Sequence, residues 1–168
     1  MSETTPTLPR GAAGLLVRAS IVAGSLALLG AMSVEALAVL GRHTGRPFIG
    51  SIELVQACVV VATSSAIVGA TVLKAHASVH LLTERLGATA RTLLGRFADL
   101  LSAAVFAAFA GGSIWIAAEL WFGDERTPLL RLPLAVLRAF WCASALLTAV
   151  LFLISALAPR QQDTSHDA

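Results

Sequence analysis

The sequence predicts an all-α membrane protein with four transmembrane helices and an interfacial amphipathic helix between the second and third. Three observations lead there. Residues 54–73, 100–118 and 139–158 carry no charged side chain, and a fourth apolar run, 19–34, resumes after Glu35 through residue 40. About 20 apolar residues at 1.5 Å each cross roughly 30 Å of hydrocarbon. Hydrophobic residues make up 57% of the 168-residue chain and charged ones 13%, about half the charged share of an ordinary soluble domain. Finally, the segment between the second and third runs is polar but keeps a helical stripe of apolar residues. A water-soluble fold of this length has no core large enough to hide four such runs.

The elements follow in order. Residues 1–14 form a polar tail containing proline and threonine, expected to be disordered. Helix 1 spans about 15–40. Arg10 and Arg18 precede its apolar run, and Ala36-Leu37-Ala38 resembles a signal-peptidase site. The run exceeds the usual 7–15-residue core of a signal peptide, so it is read as an uncleaved first helix. A link at 41–50 holds Arg42, His43, Arg46 and Pro47. Helix 2 spans about 51–74, with Ser51 as the expected cap and Glu53 where the helix dipole favours an anion. The interfacial helix, about 79–99, aligns Val79, Leu82, Leu86, Ala90, Leu93, Phe97 and Leu100 at steps of three and four. Leu82, Leu86, Leu93 and Phe97 are expected to face lipid, and Arg85, Arg91 and Arg96 to meet headgroups. Gly87 and Gly95 weaken this helix somewhat. Helix 3 spans about 100–122 and ends in Trp121-Phe122 at headgroup level. After a polar link, helix 4 spans about 133–158, with Pro133 in its first turn. Residues 159–168 form a polar tail.

Orientation follows from the basic residues. The side shared by the tails and the middle loop holds Arg10, Arg18, Lys74, Arg85, Arg91, Arg96 and Arg160; the other holds Arg42, Arg46, Arg126, Arg131 and Arg138. The excess favours both termini in the cytoplasm. The interfacial helix then meets the anionic cytoplasmic leaflet.

Several function classes fall away. A net charge of +2 with no basic tract gives no basis for nucleic-acid binding. Cys58 and Cys142 lie in separate spans without a C-x-x-C, which disfavours a thiol oxidoreductase. No protease, P-loop or nucleophile-elbow motif occurs, and neither a cofactor nor a metal is expected. His76 and His80 share a helical face but lack an evident third ligand. Arg18 and Glu35 are separated by about 25 Å of helix rise, so each is expected to reach its own interface. Glu119 and Arg138 also lie near span ends. No charge sits firmly at a midplane, which argues against a self-contained proton-coupled pump. Small residues suggest packing ridges at Ala62, Ala66 and Ala70, beside Ser65 and Gly69, and at Ala103, Ala107 and Gly111. Arg42 and Glu53 flank one link and are expected to pair, fixing the angle between helices 1 and 2.

Three segments carry a family resemblance. Leu40-Gly41-Arg42-His43 is followed by Gly50-Ser51-Ile52-Glu53-Leu54, then by Lys74-Ala75-His76-Ala77-Ser78-Val79-His80-Leu81-Leu82, and then by Thr127-Pro128-Leu129-Leu130-Arg131-Leu132-Pro133-Leu134. Their order and spacing resemble the small membrane subunit of tripartite ATP-independent periplasmic (TRAP) transporters, the DctQ type, over nearly the whole chain. His80 stands where that family usually has an acid, His43 where an aromatic is common, and the tryptophan often found after the helix 4 proline is missing.

The resemblance implies a non-catalytic subunit of a secondary transporter in the bacterial inner membrane. It implies two protein partners: a large membrane subunit that moves as an elevator, and a periplasmic substrate-binding protein that delivers a carboxylate-type solute for sodium-coupled uptake. The small subunit would brace the large one and help dock the binding protein. Membrane lipids are the third expected partner. The interfacial helix would hold the scaffold in its leaflet, since displacing about 300 Å² of apolar surface costs about 7 kcal/mol. The competing reading is a self-sufficient four-helix multidrug exporter, which also carries a glutamate in helix 1. Here Glu35 lies toward the far end of that helix, and the links are longer than such an exporter needs.

Overall fold

The computed structural model describes residues 11–73, 88–119 and 125–158. It contains four helices: α1 (Ala12–His43), α2 (Ser51–Val72), α3 (Ala88–Glu119) and α4 (Leu134–Leu157). Each is long and apolar enough to cross a membrane. His76, Leu82, Arg85 and Leu86 lie outside the described residues, as does the first half of the expected interfacial helix. Its second half differs from expectation, because residues 88–99 are continuous with the third span. Nothing in that stretch stops a helix: it has no proline, and Gly95 alone costs only about 1 kcal/mol. Leu93, Phe97 and Leu100 from the expected stripe are exposed, and so is Arg96.

The four helices form an open row instead of a closed square bundle. α1 packs on α2, α2 on α4, and α4 on α3. Burial agrees with this order: 28% of the residues in the apolar windows of α2 and α4 are buried, against 11% in α1 and 6% in α3. All four helices are apolar around most of their circumference, so hydrophobicity does not dictate neighbours; close fit does.

Small residues set the fit between α1 and α2. A Cβ placed on Gly24 would lie 3.6 Å from that of Ser65, one on Gly30 would lie 3.4 Å from Cys58 Sγ, and one on Gly69 would lie 3.2 Å from Ser20 Cβ. These contacts fix an antiparallel register, with Arg18 level with the last turn of α2 and Glu35 level with its first. The expected ridges shift accordingly. Ser65 and Gly69 are buried while Ala66 is exposed, and α3 buries Ala103 and Ala110 while Ala107 and Gly111 face outward. In α2 the packed face lies one position round from the Ala62, Ala66 and Ala70 row, whereas in α3 Ala103 is kept and the row turns to Ala110.

Between α3 and α4, Phe106 stacks on Phe152 with centroids 5.9 Å apart. That contact places Leu101 level with the end of α4, so residues 88–100 of α3 extend about 20 Å beyond it. At the centre, Ser64 and Thr148 are fully buried, and neither hydroxyl has a partner among the described residues. On one face of the row, near the α1–α2 link, a trough of about 600 Å³ has α2 and α4 as its floor and α1 and α3 as its walls.

A clasped end of the helix row

The α1–α2 link and the segment leading into α4 meet at the same end of the row. The link turns tightly. The Thr44 amide and hydroxyl both donate to Leu40 O at 3.0 Å, and the Arg46 amide donates to Gly41 O at 2.8 Å. A Cβ at Gly41 would come within 2.5 Å of Arg46 O, so the turn closes only over glycine. Gly50 then opens α2 with φ 93°, a left-handed conformation that glycine adopts without a Cβ penalty. The helix has no side-chain cap, so Ser51 does not serve as one.

Glu53 is 7% exposed, and its carboxylate leaves its own helix to reach the other segment. Leu129 N–H donates to Oε1 at 2.9 Å and Leu130 N–H to Oε2 at 2.8 Å. The Thr127 hydroxyl is a third partner. Thr127 also ties its own segment together. Its Oγ1 accepts from Leu132 N–H at 2.9 Å, its N–H donates to Leu132 O at 3.0 Å, and its carbonyl accepts from Arg131 N–H at 3.1 Å. These bonds hold Arg131 at φ 52°, uncommon for a residue with a side chain. A bridge between Arg126 and Pro133 and a bond from Leu134 N–H to Glu125 O close the base. Arg138 Nη2 lies 2.9 Å from Glu125 Oε2. Leu130 fits against Gly50, where a Cβ would lie 2.8 Å from Leu130 Cγ.

The expected pairing of Arg42 with Glu53 does not form. Glu53 is taken by two backbone amides and a hydroxyl, and Arg42 is exposed with its Nε 3.5 Å from Ala38 O. Amides in a nearly closed segment must be satisfied, and a carboxylate with two oxygens does this for adjacent donors better than any single carbonyl. Pro133 caps α4 from outside instead of entering its first turn. Arg18 and Glu35 are both exposed; Glu35 is on the trough wall, and among the described residues its carboxylate has no partner. The side chain of Arg91 lies outside the described residues. Thr127, Glu125 and the Leu129 and Leu130 amides were not singled out from sequence. The one available signal was that Glu53 and Thr127-Pro128 both sit in segments carrying the family resemblance.

This arrangement holds two link segments together. Among the described residues no three His, Cys, Asp or Glu side chains come together as metal ligands. Exposed Arg42, Arg46, Arg126 and Arg131 surround the clasp. No curated protein and no solved structure matches the chain. Residues 31–162 match the family described as Tripartite ATP-independent periplasmic transporters, DctQ component, and that span contains the whole clasp. The chain therefore belongs to the DctQ family, the non-enzymatic small membrane component of TRAP transporters.

Proposed function

We propose that this chain is a stationary brace for the large membrane subunit of its transporter and that the clasped end helps dock the periplasmic substrate-binding protein. The observation that carries the reading is the Glu53 clasp. It joins two link segments into one surface, rimmed by four exposed arginines, on a protein whose spans hold their charges near their ends. A preordered surface loses less entropy on docking than a loose one. The outer helices α1 and α3 leave most of their apolar surface for a neighbour to cover. Solute and sodium sites belong to the partners in this reading, and the solute is carboxylate-bearing. Both termini lie in the cytoplasm, so the clasp faces the periplasm of the inner membrane. In this reading the amphipathic segment ahead of the third span anchors the scaffold in the cytoplasmic leaflet.

Charge reversal tests the docking role. Arg46→Glu with Arg131→Glu should weaken binding of the periplasmic component to the assembled membrane complex by about tenfold or more, mostly through a slower on-rate at low salt. The membrane complex itself should remain intact. Unchanged binding across salt concentrations would refute this role for the clasped end.

A further inference from the structure

We infer that Arg131 is the docking anchor of the clasped end, with its guanidinium pairing with a carboxylate side chain of the periplasmic component. The inference rests on the docking role proposed above and names the residue and the chemistry that carry it. Backbone geometry singles this residue out. Arg131 has φ 52°, and no other described residue with a side chain has a positive φ. Glycine fills the remaining such positions, at Gly11, Gly45 and Gly50. In this conformation a Cβ crowds the following carbonyl, so glycine, or at times asparagine or aspartate, ordinarily takes the place. Neighbouring bonds impose the turn. Arg131 N–H donates to Thr127 O, while Leu132 N–H donates to Thr127 Oγ1 and Thr127 N–H to Leu132 O. Just before it, Glu53 holds the Leu129 and Leu130 amides. The arginine side chain therefore leaves from a rigid base.

Folding alone gives no reason for arginine here. Its side chain is exposed and has no partner among the described residues. The described acids of the two joined segments are already engaged, Glu53 by backbone amides and Glu125 by Arg138. A residue that glycine would replace with less strain is explained by what its side chain does. Here that side chain presents a planar fork of five N–H donors to the outside. A carboxylate meets such a fork in two parallel bonds, which require a fixed mutual orientation. A lipid phosphate is mobile, and Arg42 or Arg46 on the same rim would serve it without any backbone strain. The rigid base favours a carboxylate held on a folded partner.

The test measures binding of the periplasmic component to the assembled membrane complex in nanodiscs containing phosphatidylglycerol, together with the thermal midpoint of the detergent-solubilised chain. Arg131→Gly and Arg131→Ala should each weaken binding about tenfold. Arg131→Gly should nevertheless melt higher than Arg131→Ala, because only glycine relieves the positive φ. Arg131→Lys keeps the charge without the fork, so its binding should fall between those variants and the native chain. Native binding in Arg131→Gly, with binding weakened by Arg46→Glu, would overturn the anchor and leave the docking role standing. Native binding in both would overturn the two together. Loss of bound phosphatidylglycerol from Arg131→Gly, with binding of the periplasmic component unchanged, would assign the guanidinium to the membrane and overturn the inference. Equal midpoints for the glycine and alanine variants would overturn it as well.

Discussion

Glu53 shows why an acidic residue at a helix start is a poor guide to its partner. Read as a letter, it suggests a dipole interaction or an arginine across the link, and Arg42 was the expected partner. Its real partners are two backbone amides and a hydroxyl more than seventy positions away. Backbone donors leave no trace in residue identity, which is why the clasp was not legible although both its segments were noticed. Glutamine at this position keeps the shape but has one acceptor oxygen and directs an NH₂ at an amide donor. Glu53→Ala should therefore lower the thermal midpoint of the detergent-solubilised chain, and Glu53→Gln should give an intermediate loss. Equal midpoints for all three proteins would contradict the clasp. Gly50 makes a second prediction. Gly50→Ala combines an unfavourable positive φ with a clash against Leu130 and should cost about 1–2 kcal/mol. Adding Leu130→Ala relieves the clash but not the backbone strain, so the double variant should recover only part of the change it is measured against.

The helices themselves were largely legible. Uninterrupted apolar length identifies a span whatever surrounds it, and all four expected spans occur. Phase and boundaries were less so. The apparent break before residue 100 was a change in composition, from amphipathic to apolar, within one continuous helix. The ridges were placed only in part: Ala103, Ser65 and Gly69 are buried but Ala66, Ala107 and Gly111 are exposed, because steps of four fit several faces of an alanine-rich helix. Actual contacts make sharper claims. Gly30→Cys should form a disulfide with native Cys58 under mild oxidation, since the added Cβ lies at 3.4 Å from the Cys58 sulfur. Failure to form it would contradict the α1–α2 register. Gly69→Val should drive α1 and α2 apart, costing about 1–3 kcal/mol by overpacking against Ser20. Gly111→Val meets no neighbouring atom within 4 Å and should leave the isolated chain's thermal midpoint unchanged. Matching losses for the two variants would undercut the assignment of the packed faces.

Taken whole, the molecule is an open row with a stiff end and two largely uncovered outer helices. Neighbour order in such a row is not written in hydropathy, because every helix is apolar on most sides; it follows from where small residues permit close approach. The family match and the absence of a charge at the centre of the described helices fit a component that positions others. The most direct test is solute uptake into proteoliposomes, using the compound that the periplasmic component binds and an inward sodium gradient. Uptake is predicted only when this chain, the large membrane subunit and the periplasmic component are all present. Uptake driven by this chain alone, or full uptake by the other two without it, would contradict the account.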